Sequence, residues 1–133
     1  MHYQLNRTMP GEYRSLQERS GNAVSDELTA VQALRNTAFM AGIYEEEELV
    51  AFGRIVGDEA RFWLVCDVMV DRKLEGQGYE VLLLKELEDY IRTVVPRGGQ
   101  VFAFVDRPYD ELCRKFGFRY LDEDYQRAMV RRR

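Results

Sequence analysis

At 133 residues, 46% hydrophobic and 12% aromatic, the chain is long enough to bury a core and too apolar to be disordered, so one domain over residues 1–133 is expected. A net charge of −4 argues against a nucleic-acid-binding face, and the tip Arg131-Arg132-Arg133 reads as a solvated tail. No apolar run of about 18 residues occurs, so no membrane partner is expected.

The first residues, MHYQLNRTMPGEY, lack the apolar core of a secretion signal, which points to a cytoplasmic protein. Cys66 and Cys113 are far apart, lack metal-ligand spacing and read as free thiols. His2 is the lone histidine, so a His-based triad or metal cluster is not expected.

In chain order, residues 2–7 can form a short strand. Pro10 suits the first turn of a helix running to about Arg19, which Ser20-Gly21-Asn22 ends. Ser25 is the expected N-cap of a second helix to about Asn36, with Leu28, Val31 and Leu34 inward. Residues 39–44 and 49–56 read as strands joined at Glu45-Glu46-Glu47-Glu48. Residues 62–70 form a long strand, apolar on both faces and so central in a sheet.

The most telling segment follows. Valine-rich strand gives way to a polar loop, then Gly76-Gln77-Gly78, then an amphipathic helix over residues 76–95 carrying Leu83, Leu87, Tyr90, Ile91 and Val94. The first N–H groups of a helix lack internal partners and carry positive potential, and glycines let a phosphate approach the backbone. The segment is therefore a candidate phosphate cradle; a tight strand-to-helix turn without ligand is the plainer alternative. Residues 100–105 form a further strand, Pro108 to Phe116 a short helix, and residues 118–121 and 125–130 a final antiparallel pair. The order is β-αα-βββ-α-β-α-ββ.

That order and two motifs resemble the GNAT superfamily of N-acetyltransferases. Family members read valine, four loop residues, then Arg/Gln-Gly-X-Gly-X-Gly/Ala; here Val70 is followed by Asp71-Arg72-Lys73-Leu74 and Glu75-Gly76-Gln77-Gly78-Tyr79-Glu80. The family's Tyr-X-Lys-X-Gly-Phe appears as Cys113-Arg114-Lys115-Phe116-Gly117-Phe118. The resemblance implies a mixed α/β fold with about seven strands in a mostly antiparallel sheet flanked by four helices. It implies acetyl-CoA as co-substrate and an amine as acceptor, with no metal, and it leaves a homodimer open. The pyrophosphate would lie on Gln77 to Glu80, and the pantetheine would pair with the backbone of Val68, Met69 and Val70.

Departures from the pattern fall on working positions. Glu75 stands for the usual Arg or Gln, Glu80 for Gly or Ala, and Cys113 for the Tyr near the CoA sulfur. Each carboxylate at about 6 Å from a pyrophosphate charge costs of order 2–3 kcal/mol at an effective dielectric near 20, before screening or outward rotation. Weakened CoA binding is expected, with Arg72 and Lys73 as compensating cations, and a GNAT-like domain acting as a CoA sensor or protein-binding module is the alternative function. Cys113 is either a substitute proton donor or a small apolar residue on a helix's inner side. Tyr109, one turn earlier, is a second candidate donor. Asp67 could take the amine proton, or pair with Arg54 or Arg72. Glu45 to Glu48 could attract a cationic amine, or form a charged turn.

Overall fold

The computed structural model describes all residues 1–133. Five strands, β1 (His2–Leu5), β2 (Phe39–Glu45), β3 (Glu48–Gly57), β4 (Phe62–Val70) and β5 (Gln100–Ala103), lie side by side in chain order. All neighbours are antiparallel except β4 and β5, which are parallel. Four helices accompany them: α1 (Pro10–Arg19), α2 (Glu27–Arg35), α3 (Tyr79–Val94) and α4 (Tyr109–Lys115).

The sheet is covered on both faces. Phe39, Ala41 and Ile43 of β2 pack with Leu83, Leu84 and Leu87 of α3. Met40 and Tyr44, on the opposite face, pack with Tyr13 and Leu16 of α1 and Ala30 and Leu34 of α2. Alternating side chains thus enter two cores, which is why β2 and β3 read as nearly unbroken apolar runs.

Local chemistry sets the helix starts. Pro10 opens α1, and the Met9 N–H donates to the Glu12 carboxylate at 2.9 Å. Asp26 caps α2 by accepting from the Thr29 N–H at 2.8 Å. Ser25, the expected cap, instead accepts from the Gln17 amide through its hydroxyl. Leu28 is 66% exposed, and Ala30 with Leu34 forms the buried stripe. Helix α3 begins at Tyr79 rather than Gly76, because Gly76 (φ +77°) and Gly78 (φ +97°) both sit in the left-handed region and cannot continue a helix backwards. Val94, expected on the inner face, is exposed.

The hairpin β2–β3 turns at Glu46 (φ +48°) and Glu47 (φ +67°), the backbone pattern of a two-residue hairpin loop that favours Asn-Gly. Holding two glutamates there is strained, at about 1 kcal/mol or more each. The double change Glu46→Asn, Glu47→Gly is expected to stabilise the protein by about 1 kcal/mol, read as a raised denaturation midpoint at constant slope.

The seven-strand expectation is corrected to five. Residues 118–133 form no strand. The Asp122 carbonyl and carboxylate gather the N–H groups of Asp124, Tyr125 and Gln126 into a turn. Tyr125 in this turn and Met129 beyond it are 85% and 91% exposed, so no apolar face is available to support strand pairing.

Candidate active site

The parallel pairing of β4 and β5 runs only from Phe62 opposite Gln100 to Val65 opposite Ala103. The Phe104 N–H to Val65 carbonyl bond, 3.0 Å, is the last tie between them. Past it β4 continues to Val70 along β3 alone, so its other edge is unpaired. A register shift between Phe52 and Arg54 leaves Asp67 and Val68 opposite the single residue Gly53, a bulge with Asp67 at φ +52°. The bulge turns the strand's end, Val68 to Val70, into the opening.

A cleft of about 540 Å³ fills that opening. Its floor is Val68, Met69 and Val70. One wall is the Gly loop and the start of α3, with Glu75, Gly76, Gly78, Glu80 and Val81. The other is Asp106, Arg107 and Pro108 with Tyr109, Glu111 and Leu112 of α4, and Ser20 and Asn22 stand at the mouth. The lining carboxylates Glu75, Glu80, Asp106 and Glu111 outnumber the single guanidinium Arg107, which gives the cleft a negative potential.

Tyr109 is the one phenol in the lining. Burial, and then Glu75, Glu80 and Asp106, push its pKa up to about 12, so it keeps its proton throughout the neutral range. The Glu80 carboxylate folds back from the first turn of α3, and both its oxygens accept from the Gly76 N–H at 3.2 Å. Gln77 and Tyr79 do not line the cleft. The Gln77 amide donates to the Lys73 carbonyl at 3.3 Å, and the Tyr79 phenol donates to Glu45 at 2.9 Å, tying α3 to the β2–β3 hairpin.

Cys113 is 3% exposed and faces the core, among Val65, Leu84, Leu87 and Phe116. Burial raises its thiol pKa. Its neighbour Leu112 is the residue that reaches the cleft. Asp67 is held away from the lining as well: its carboxylate accepts from Arg54 Nε at 2.6 Å and from the Tyr13 phenol at 2.7 Å. Arg72, one of the two expected compensating cations, packs its guanidinium against Gly21 in the α1–α2 loop.

The profile of the acetyltransferase (GNAT) family matches residues 5–118. The chain belongs to this family. The GNAT domain is 30% identical over 98 residues to a histone acetyltransferase of Glycine max, a match covering 65% of this chain and 41% of that protein. A probable acetyltransferase of the same plant matches at 30% over 98 residues, 65% of this chain and 38% of the relative. The match thus spans about two-fifths of the length of these curated relatives.

Solved structures agree on the fold. A protein of unknown function from Staphylococcus aureus, described as a probable acetyltransferase, superposes with a TM-score of 0.85 at 24% identity, covering 98% of this chain and 100% of that one. A GNAT family acetyltransferase from Brucella melitensis, solved in complex with acetyl-CoA, gives 0.66 at 19% identity, covering 90% of this chain and 84% of the other. These likenesses show the fold, and no helix is long and apolar enough to cross a membrane.

The sequence pointed to the floor, the Gly loop and Tyr109 on the opposite wall, and not to Asp106, Arg107 and Glu111 around that phenol. Asp106, Arg107 and Glu111 follow a strand whose departure from β4 no local pattern encodes.

Proposed function

We propose that the chain transfers an acetyl group from acetyl-CoA to a primary amine of a small molecule or protein by direct attack. The observation that carries this reading is the unpaired edge of Val68 to Val70, which floors a cleft holding the phenol of Tyr109. The amide groups of a pantetheine arm can add to that edge as a further strand. The thioester carbonyl would then lie where the bulge opens β4, with Tyr109 beside the sulfur.

The amine nitrogen attacks the carbonyl carbon, and the C–S bond breaks as the tetrahedral adduct collapses. The leaving thiolate takes the Tyr109 proton, and the tyrosinate recovers one from water. The new amide nitrogen releases its extra proton to water or to a cleft carboxylate. The negative potential of the lining draws a cationic amine to the mouth by Ser20 and Asn22, and the ammonium gives one proton to water or to a cleft carboxylate before its nitrogen attacks. Asp67 is not proposed as the base, because it does not line the cleft and its Oδ2 accepts from both Arg54 and Tyr13. Cys113 is not proposed as the acid, because it faces the core.

A second reading, a CoA sensor or protein-binding module without turnover, is favoured by one observation: the Gly76 N–H is already engaged by Glu80. A melting curve with millimolar acetyl-CoA, followed by thiol release across a panel of amines, separates the two. An upward shift of a few degrees is expected, since a ligand that prefers the native state stabilises it, at tenfold its dissociation constant by about 1.4 kcal/mol. A shift with thiol release supports catalysis. A shift without release for any amine supports the sensor, and no shift removes the transferase and the sensor and leaves the protein-binding module.

A further inference from the structure

We infer that Glu80 sets donor specificity: its carboxylate stands in the Gly loop where a ligand phosphate would lie, so the cleft recognises an acyl thioester by its pantetheine arm rather than by its pyrophosphate. The inference deepens the acyltransferase reading and rests on it for the identity of the donor.

The geometry closes the escape routes that the sequence left open. Outward rotation would relieve the repulsion, but Glu80 is 6% exposed and its carboxylate is turned into the loop. Both oxygens receive the Gly76 N–H at 3.2 Å, so the donor that glycine leaves free for an incoming anion is already bonded. A neighbouring cation would relieve the repulsion too, but Arg72 lies against Gly21, Arg19 is paired with Asp71 at 2.8 Å, and Lys73 does not line the cleft. The lining on the loop side contains Glu75 and Glu80 and no Lys or Arg; Arg107 stands on the opposite wall.

An acid in the first turn of a helix is also favourable to the helix itself. That benefit draws on the same positive potential that a pyrophosphate would need. The loop therefore carries its own anion on the Gly76 N–H, and a ligand phosphate on the neighbouring N–H groups meets that charge. The floor of the cleft is untouched by this contact, because Val68 to Val70 lie on β4 and offer backbone edge and apolar surface. A donor that has the arm and lacks the phosphates loses nothing at the loop.

Two thioesters with the same arm test the inference: acetyl-CoA, and acetyl-pantetheine, which has no phosphate. Dissociation constants are measured by calorimetry at fixed ionic strength for the natural protein, Glu80→Gln and Glu80→Ala. Glu80→Gln keeps an acceptor oxygen for the Gly76 N–H and removes the charge, so it guards against a misfolded Glu80→Ala. For the natural protein the two constants are expected within about threefold of each other, and each substitution is expected to tighten acetyl-CoA about tenfold while leaving acetyl-pantetheine unchanged. A natural protein that prefers acetyl-CoA by about a hundredfold overturns the inference, although it supports the acyltransferase reading. Substitutions that move both donors equally, or neither, overturn it, as does absence of binding in all three proteins. Tightening of acetyl-CoA alone, with no thiol release from either donor and any amine, upholds the role of Glu80 and removes the transferase reading.

Discussion

Tyr109→Phe is expected to lower kcat for acetyl transfer about a hundredfold, with KM for acetyl-CoA within about twofold of its natural value. The hydroxyl is the only atom removed, and the ring still fills the start of α4 against the cleft. General acid catalysis is worth about 10²–10⁴ in rate and falls off as the donor's pKa departs from the working pH. Burial, Glu75, Glu80 and Asp106 push the Tyr109 phenol up to about 12, which places the loss at the low end of that range. The same shift fixes the pH behaviour. A raised pKa means the protonated donor persists to higher pH, so the acid form is complete at neutrality. Tyr109 then contributes no falling limb to the rate below about pH 10. Removing one of the charges that raises it, by Glu75→Gln, is expected to bring that limb to lower pH. Cys113→Ser serves as the control: a buried thiol replaced by a hydroxyl should lower stability by about 1–2 kcal/mol and leave kcat within about twofold. Retention of more than half of kcat in Tyr109→Phe, as titrated by thiol release, would remove the phenol from the mechanism.

What could be read from the sequence was what is local. Pro10 and the Ser20-Gly21-Asn22 break bound α1 correctly, because both act through their own backbone dihedrals. The apolar floor and the spacing of Gly76 and Gly78 place the loop at the end of β4, since a strand, a polar turn and a helical period are each encoded within a few residues. The strand count failed where the pairing is long-range. Residues 118–130 alternate enough to suggest a hairpin, yet nothing packs on Tyr125 or Met129, and β-pairing without a buried face is not stable. The face of Cys113 on its helix was ambiguous for a related reason, as a seven-residue helix has too few turns for periodicity to fix its inner side. Glu80 shows the limit most clearly. The sequence places a carboxylate by the loop, while its turn inward onto Gly76 depends on the burial of α3 against the sheet.

Arg54→Met is expected to cost about 2 kcal/mol and lower the melting temperature by about 8 °C, the larger part of it through the carboxylate it leaves behind. Arg54 reaches from β3 across the bulge. Its Nε donates to Asp67 at 2.6 Å, and its Nη1 donates to the Thr37 hydroxyl at 3.1 Å and the Ala33 carbonyl at 3.3 Å. The pair is only partly buried, at 16% side-chain exposure for Arg54 and 30% for Asp67, and Tyr13 still donates to the orphaned carboxylate. Both facts discount the about 3–5 kcal/mol that a fully buried broken pair would cost. Asp67→Asn should be milder than Arg54→Met. Asn tolerates the φ of +52° at this position, and its amide oxygen still accepts from Arg54 and Tyr13. Adding Asp67→Asn to Arg54→Met should recover part of the loss, because the orphan is then neutral. The bulge that Arg54 and Asp67 lock is what aims Val68 to Val70 into the cleft, so Arg54→Met should raise KM for acetyl-CoA more than it lowers kcat. That split distinguishes a brace from a base. If Asp67→Asn melted within a few degrees of the natural protein and yet lost about a hundredfold in kcat, the carboxylate would be taking a proton from the amine, and Arg54 would be its orienting partner.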